Sequence, residues 1–120
     1  MTAGDLEGAL KNRDEIELTT TGRITGRQIS HPVWFVRQAG RLYLLPGAGS
    51  DSQWYKNMLK TPAIRLASGH ARYSTTARPV TDPGTVARIV EDFRARYGAD
   101  ELAEYYPNPN PDVAVEVNLE

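Results

Sequence analysis

Hydrophobic and polar positions alternate first over Glu15 to Thr20, where Ile16, Leu18 and Thr20 oppose Glu15, Glu17 and Thr19. A period of two is that of a half-buried strand. The glycines of Gly22 to Gly26 turn the chain, and Gln28 to Val36 resumes as strand with Pro32 in its body, which places that stretch at an edge or a bulge. Ala39-Gly40 makes the next turn, and Leu42 to Leu45 forms a third strand ended by Pro46-Gly47. Three strands with short connections predict an antiparallel meander.

Beyond Gly47 the period changes. Trp54, Met58 and Leu59 mark one face of a helix running to about Lys60, with Ser50 or Asp51 as its cap and Pro62 just past its end. Ala63 to Ala67 and His70 to Val80 read as strands separated by Ser68-Gly69. Asp82-Pro83 then opens the clearest helix: Val86, Ile89, Val90, Phe93 and Tyr97 fall at helical spacing and Gly98 stands at the C-terminal cap position. A polar loop through Glu104, Tyr105, Tyr106 and Pro107 to Pro111 leads to Val113, Val115, Val117 and Leu119, whose strict alternation predicts a closing strand. At the other end, Leu6 and Leu10 predict a short helical segment within residues 1–12, interrupted by Gly8.

This order lacks a regular βαβ alternation and excludes a Rossmann domain. About six antiparallel strands with two to three packing helices predict a mainly β (α+β) chain, a small barrel that removes sheet edges. At 120 residues, one domain spanning 1–120 is expected. The 14 Lys and Arg against 15 Asp and Glu leave a net charge of -1, so no global field favours nucleic acid or anionic membrane. Cysteine is absent, which removes disulfides and thiolate sites, and neither His31 nor His70 stands in a metal-binding pattern, so no metal is expected. The N-terminal stretch has neither a signal nor a transit pattern and no apolar run reaches membrane-spanning length; a cytoplasmic location follows as the expectation.

Three stretches exceed what folding requires. In TTTGRITGR, Gly22 and Gly26 permit positive φ, so successive amides can form a concave anion site flanked by Arg23 and Arg27; an exposed hairpin turn is the alternative. In GAGSD, Gly47 and Gly49 bring bare backbone to a helix start, where an anion is favoured unless Asp51 occupies the place. Trp54, Tyr55 and Asn57 supply a ring, a phenol and an amide within one helical turn, suited to an aromatic cofactor or, for Trp54, simply to the core.

Taken in order, TTTGRITGRQISHPVWFV, LYLLPGAGSDSQWYKNMLKTPAIRL, ARPVTDP, the EYYP loop and VAVEV resemble the deazaflavin-dependent nitroreductase family over Glu15 to Glu120. The resemblance implies a flavin-reductase-like split β-barrel that uses coenzyme F-420, an 8-hydroxy-5-deazaflavin. It implies cofactor contacts from Gly22, Arg23, Thr25 and Arg27 toward phosphate and the acidic tail. Pro46, Gly47, Ala48, Gly49 and Ser50 would lie against the ring, with Trp54 packing at the ring edge and Asn57 as a polar contact. Tyr105, Tyr106 and Ser50 are the catalytic candidates, a tyrosine donating a proton or polarising the acceptor. Here GAGSDSQ is shorter and more acidic than in many relatives, and Met58 and Thr61 depart mildly from the helix pattern; nitroreduction in particular is not carried over. The expected activity is hydride transfer from reduced deazaflavin to an electron-poor enone, quinone or nitro compound. Alternatives of other classes are a deazaflavin or lipid carrier without turnover, and an FMN-dependent enzyme on the same barrel. Such barrels often dimerise, so a homodimer is among the expectations.

Overall fold

The computed structural model describes residues 6, 8–10, 13–38, 40–47, 49–105 and 112–119. Seven strands run in chain order as β1 (Glu15–Thr21), β2 (Gln28–Trp34), β3 (Val36–Gln38), β4 (Arg41–Leu44), β5 (Ala63–Ser68), β6 (Ala71–Val80) and β7 (Ala114–Asn118). Helices α1 (Gln53–Lys60), α2 (Pro83–Tyr97) and α3 (Ala99–Tyr105) accompany them, and residues 6, 8 and 9 are helical, as expected of the N-terminal segment. The sheet order is β2-β1-β5-β6-β7-β4-β3, antiparallel throughout. Its two end strands are separated along the chain by Phe35 alone, so a single bent segment supplies both ends of the curled sheet. This is the mainly β barrel that the pattern predicts, with seven strands rather than about six, and the split barrel that the resemblance implies. The strand expected as Gln28 to Val36 is two strands because the chain bends at Phe35.

Alternation decides which side each residue serves. Ile16 and Leu18 of β1, Leu42 and Leu44 of β4, and Val115 and Val117 of β7 join Phe35, Trp54 and Met58 inside the barrel. The intervening Tyr43 and Leu45, with Trp34, Val36 and Ala114, pack outside it against Val86, Ile89, Val90 and Phe93 of α2. Burial on both faces explains why LYLL is a continuous apolar run rather than an alternating one. Asp82 caps α2, its carboxylate accepting from the Thr85 amide at 2.9 Å and the Thr85 hydroxyl at 2.7 Å. Gly98, at φ 91°, ends that helix.

Two expectations are corrected here. Helix α1 begins later than Ser50 or Asp51, because Gly49–Asp51 forms a 3-10 turn and Ser52 takes the cap position. The segment reaching Glu104 and Tyr105, read as a polar loop, is helix α3, held by the burial of Leu102 beneath it. Tertiary contact through that one leucine outweighs a polar local sequence.

The bend at Phe35 would leave backbone groups unpaired inside the protein, and the C-terminal turn of α2 meets them. The Tyr97 hydroxyl accepts from the Phe35 amide at 3.2 Å and lies 2.9 Å from the Phe35 carbonyl and 2.8 Å from that of Asp14. Its ring stacks on Trp34 with centroids 4.0 Å apart. Burial pushes the phenol above its ordinary pKa, so it stays protonated and able to donate. Tyr97→Phe removes the hydroxyl but keeps the ring. It is expected to cost about 1–3 kcal/mol in urea unfolding, the penalty for stranding a buried polar group, and a loss below that range would show that water replaces the hydroxyl.

Candidate active site

The β1–β2 hairpin, the loop after β4 and helix α1 meet at one mouth of the barrel. The hairpin closes through the Gly22 amide donating to the Arg27 carbonyl at 2.8 Å and the Gly26 amide donating to the Gly22 carbonyl at 2.9 Å. Gly26 has the expected positive φ of 75°. Gly22 does not; its surroundings are close, since an added Cβ would stand 3.3 Å from Ile29 Cδ1 and 3.4 Å from the Arg27 carbonyl oxygen, so a side chain there would press on the Ile29 methyl.

Arg23 reaches across to α1. Its backbone amide and Nη1 both donate to Asn57 Oδ1, at 3.2 and 2.8 Å, and Nη2 donates to Gln53 Oε1 at 2.7 Å. Lys60 Nζ donates in return to the Arg23 carbonyl at 2.8 Å. Among the described residues every acceptor of the guanidinium is a neutral amide or carbonyl oxygen, so it is oriented there without being neutralised. Arg27 is exposed, its guanidinium without a partner among the described residues; its amide donates to Thr25 Oγ1 at 3.3 Å.

Helix α1 turns Trp54 and Asn57 inward, at 9% and 5% exposure. Beside them opens a cleft of about 550 Å³ lined by Ile29, His31, Gly47, Asp51, Ser52, Gln53, Trp54 and Asn57. A smaller depression of about 300 Å³, lined by Gly22, Arg23, Ile24, Thr25, Ile29, Gln53 and Asn57, adjoins it through Ile29, Gln53 and Asn57. Gly22, Arg23, Thr25, Gly47, Trp54 and Asn57, all expected at the site, are thus brought to one concave surface.

Other expected residues stand apart from it. Pro46 and Gly49 are buried in the loop, where the Gly49 amide donates to the Pro46 carbonyl at 3.0 Å. The Ser50 amide and hydroxyl donate to the Asp112 carboxylate at 2.9 and 2.5 Å, which holds that carboxyl below its usual pKa. Ser50 therefore ties the loop to the start of the last strand segment. Tyr105 ends α3, while Ala48 and Tyr106 lie outside the described residues.

Asp112 and His31 escaped the sequence reading. Asp112 is invisible locally because its partner is 62 positions away. His31 carried a signal: it occupies the inward, otherwise apolar face of β2 between Ile29 and Val33. Burial lowers its pKa, favouring the neutral imidazole.

The chain is thus a curled antiparallel barrel with a cleft lined by a tryptophan and an arginine-bearing depression beside it. The family model for F420H(2)-dependent quinone reductase matches residues 1–99, and the chain belongs to that family. Among solved structures, it is similar to an F420-H2 dependent reductase (FDR-A), with 21% identity, 88% of this chain and 95% of that chain covered, and a TM-score of 0.67. A conserved hypothetical protein from Mycobacterium tuberculosis matches at 18% identity over 100% of this chain and 81% of that chain, TM-score 0.74. HutZ, the heme storage protein from Vibrio cholerae, matches at 13% identity over 100% and 92%, TM-score 0.70. These likenesses show the split-barrel fold. Family membership makes the chain an oxidoreductase, an F-420-dependent reductase.

The residues present fit that cofactor. Neither ring nitrogen of His31 nor Asn57 Nδ2 has a hydrogen-bond partner among the described residues, although both side chains line the cleft. Unused polar atoms beside an indole suit a planar ring that carries carbonyl groups.

Proposed function

We propose that this chain, acting as one domain, reduces a quinone-class acceptor at the cleft between the β1–β2 turn and α1. The observation that carries the reading is the convergence of Arg23, Gly47, Trp54 and Asn57 on one concave surface from three separate segments. Bound reduced deazaflavin supplies the hydride. Trp54 forms the apolar wall against which a flat ring packs, and Gly47 lets backbone approach it closely because no side chain intervenes. Asn57 spends Oδ1 on Arg23 and keeps Nδ2 for a ring oxygen. Arg23 and Arg27 provide positive charge at the outer rim for phosphate and carboxylates, partly opposed by Asp51 on the cleft lip. Pro46, Gly49 and Ser50 shape the loop that carries Gly47. Tyr105 or Tyr106 would serve as the proton donor to the acceptor. Enones and nitro compounds share the electron deficiency that the reaction needs.

A cytoplasmic homodimer belongs to the same reading. It is supported by similarity to a solved structure described as a domain-swapped dimer, 20% identical over 96% of this chain and 95% of that chain, TM-score 0.67. Among the described residues no helix is long and apolar enough to cross a membrane.

Equilibrium fluorescence titration tests the cofactor assignment. Oxidised coenzyme F-420 is expected to bind more tightly than FMN, and rising ionic strength is expected to weaken it through screening of the arginine rim. Equal or tighter binding of FMN would overturn the reading.

A further inference from the structure

We propose that His31 is a ligand-contacting residue of this cleft, its imidazole hydrogen-bonding a ring carbonyl of the planar molecule that packs against Trp54. The proposal rests on the cleft being the cofactor and acceptor site. In the β1–β2 register Leu18 faces His31, Ile16 faces Val33 and Thr20 faces Ile29, which puts all six side chains on the inward face. Along β2 that face passes from Val33, 7% exposed, through half-buried His31 to Ile29, 43% exposed. His31 thus stands where the strand leaves the core and enters the mouth.

Its ring centroid lies 6.4 Å from that of Trp54, with the planes at 49°. The tilted contact is not a face-to-face stack, and His31 lines the same cleft as Trp54. A polar group on an apolar strand face is costly unless something bonds it. Neither nitrogen has a partner among the described residues, and neither counts among the fully enclosed unsatisfied atoms, where Thr20 Oγ1 stands. An imidazole that lines the cleft and is not sealed in the core is available to a molecule bound there. The depressed pKa agrees with this placement: a neutral imidazole offers one donor and one acceptor without adding a third cation to the arginine rim. Asp51 is the other titratable group lining the same cleft. A carbonyl could belong to the deazaflavin or to the quinone, and the two sources separate experimentally.

The test compares wild type, His31→Phe, which keeps aromatic bulk but removes both nitrogens, and His31→Gln, which restores a donor and an acceptor. Three quantities are read: the Kd of oxidised F-420, the KM of menadione as acceptor probe with reduced F-420, and urea unfolding. One lost hydrogen bond predicts a rise of about tenfold in His31→Phe, partly recovered in His31→Gln. A rise in Kd assigns the carbonyl to the cofactor; a rise in KM at unchanged Kd assigns it to the acceptor. Both constants within twofold of wild type would show that His31 only packs against Trp54, leaving the proposed function intact. Failure of wild type itself to bind F-420 would overturn the proposed function and this inference together.

A readout without substitution covers loss of folding in the variants. In wild-type protein labelled with 15N-histidine, adding oxidised F-420 or menadione should shift the His31 ring nitrogens and leave those of His70, exposed at the β5–β6 turn, in place. Unmoved His31 signals with both ligands would overturn the proposal.

Discussion

Trp54→Ala is expected to lower unfolding free energy by about 3–5 kcal/mol, the usual cost of truncating a packed tryptophan, and to weaken F-420 binding severely. One side chain does both because Trp54 sits at the boundary: it belongs to the barrel's apolar cluster with Leu18, Met58 and Leu66, and it also walls the cleft beside His31. Removing the indole leaves a void on the inner side and no flat surface on the outer. Urea unfolding and fluorescence titration on the same preparations separate the two losses. Retained affinity with reduced stability would restrict Trp54 to the core.

Arg23→Ala is expected to weaken F-420 binding by more than tenfold and to destabilise the fold as well. The turn sequence alone argues for an exposed arginine whose removal leaves folding within about 0.5 kcal/mol. The contacts to Gln53 and Asn57 change that expectation, because the guanidinium pins the hairpin to α1. Losing these partly exposed hydrogen bonds is expected to cost about 1–2 kcal/mol, while the backbone amide bond to Asn57 Oδ1 remains. Arg23→Lys keeps the charge but not the planar fork that reaches both amides, so it should recover binding only in part and stability hardly at all. Measurement at fixed salt of affinity and urea midpoint for the three proteins decides. Unchanged affinity in the alanine variant would make Arg23 a structural clamp and nothing more.

The two arginines of TTTGRITGR thus have different fates. Spacing within the turn treats them alike, yet Arg23 is engaged by α1 and Arg27 points to solvent. That division depends on Gln53 and Asn57, which are 30 and 34 positions away. Ser50 shows the same limit: its small-residue loop suggested a ligand contact, and Asp112 has taken its hydroxyl.

The elements themselves were legible. Asp82-Pro83 and Gly98 bound helix α2 through short-range capping, and the alternation of Ile16 with Leu18 and of Val115 with Val117 marks strands, because side-chain period is a property of local backbone geometry. Helix α3 was missed since its reason for existing is the burial of Leu102 against another part of the chain. The strand break at Phe35 escaped for a like cause: its buried backbone is bonded by Tyr97, which arrives 62 residues later. By itself, then, the sequence determined most of the order of elements and the two faces of the strands whose alternation is strict. The tertiary structure alone decided which of the candidate residues share a cleft, which are consumed by one another, and that His31 belongs among them. Hydrogen-bond partnership and exposure arise between segments distant in the chain, where no local period records them.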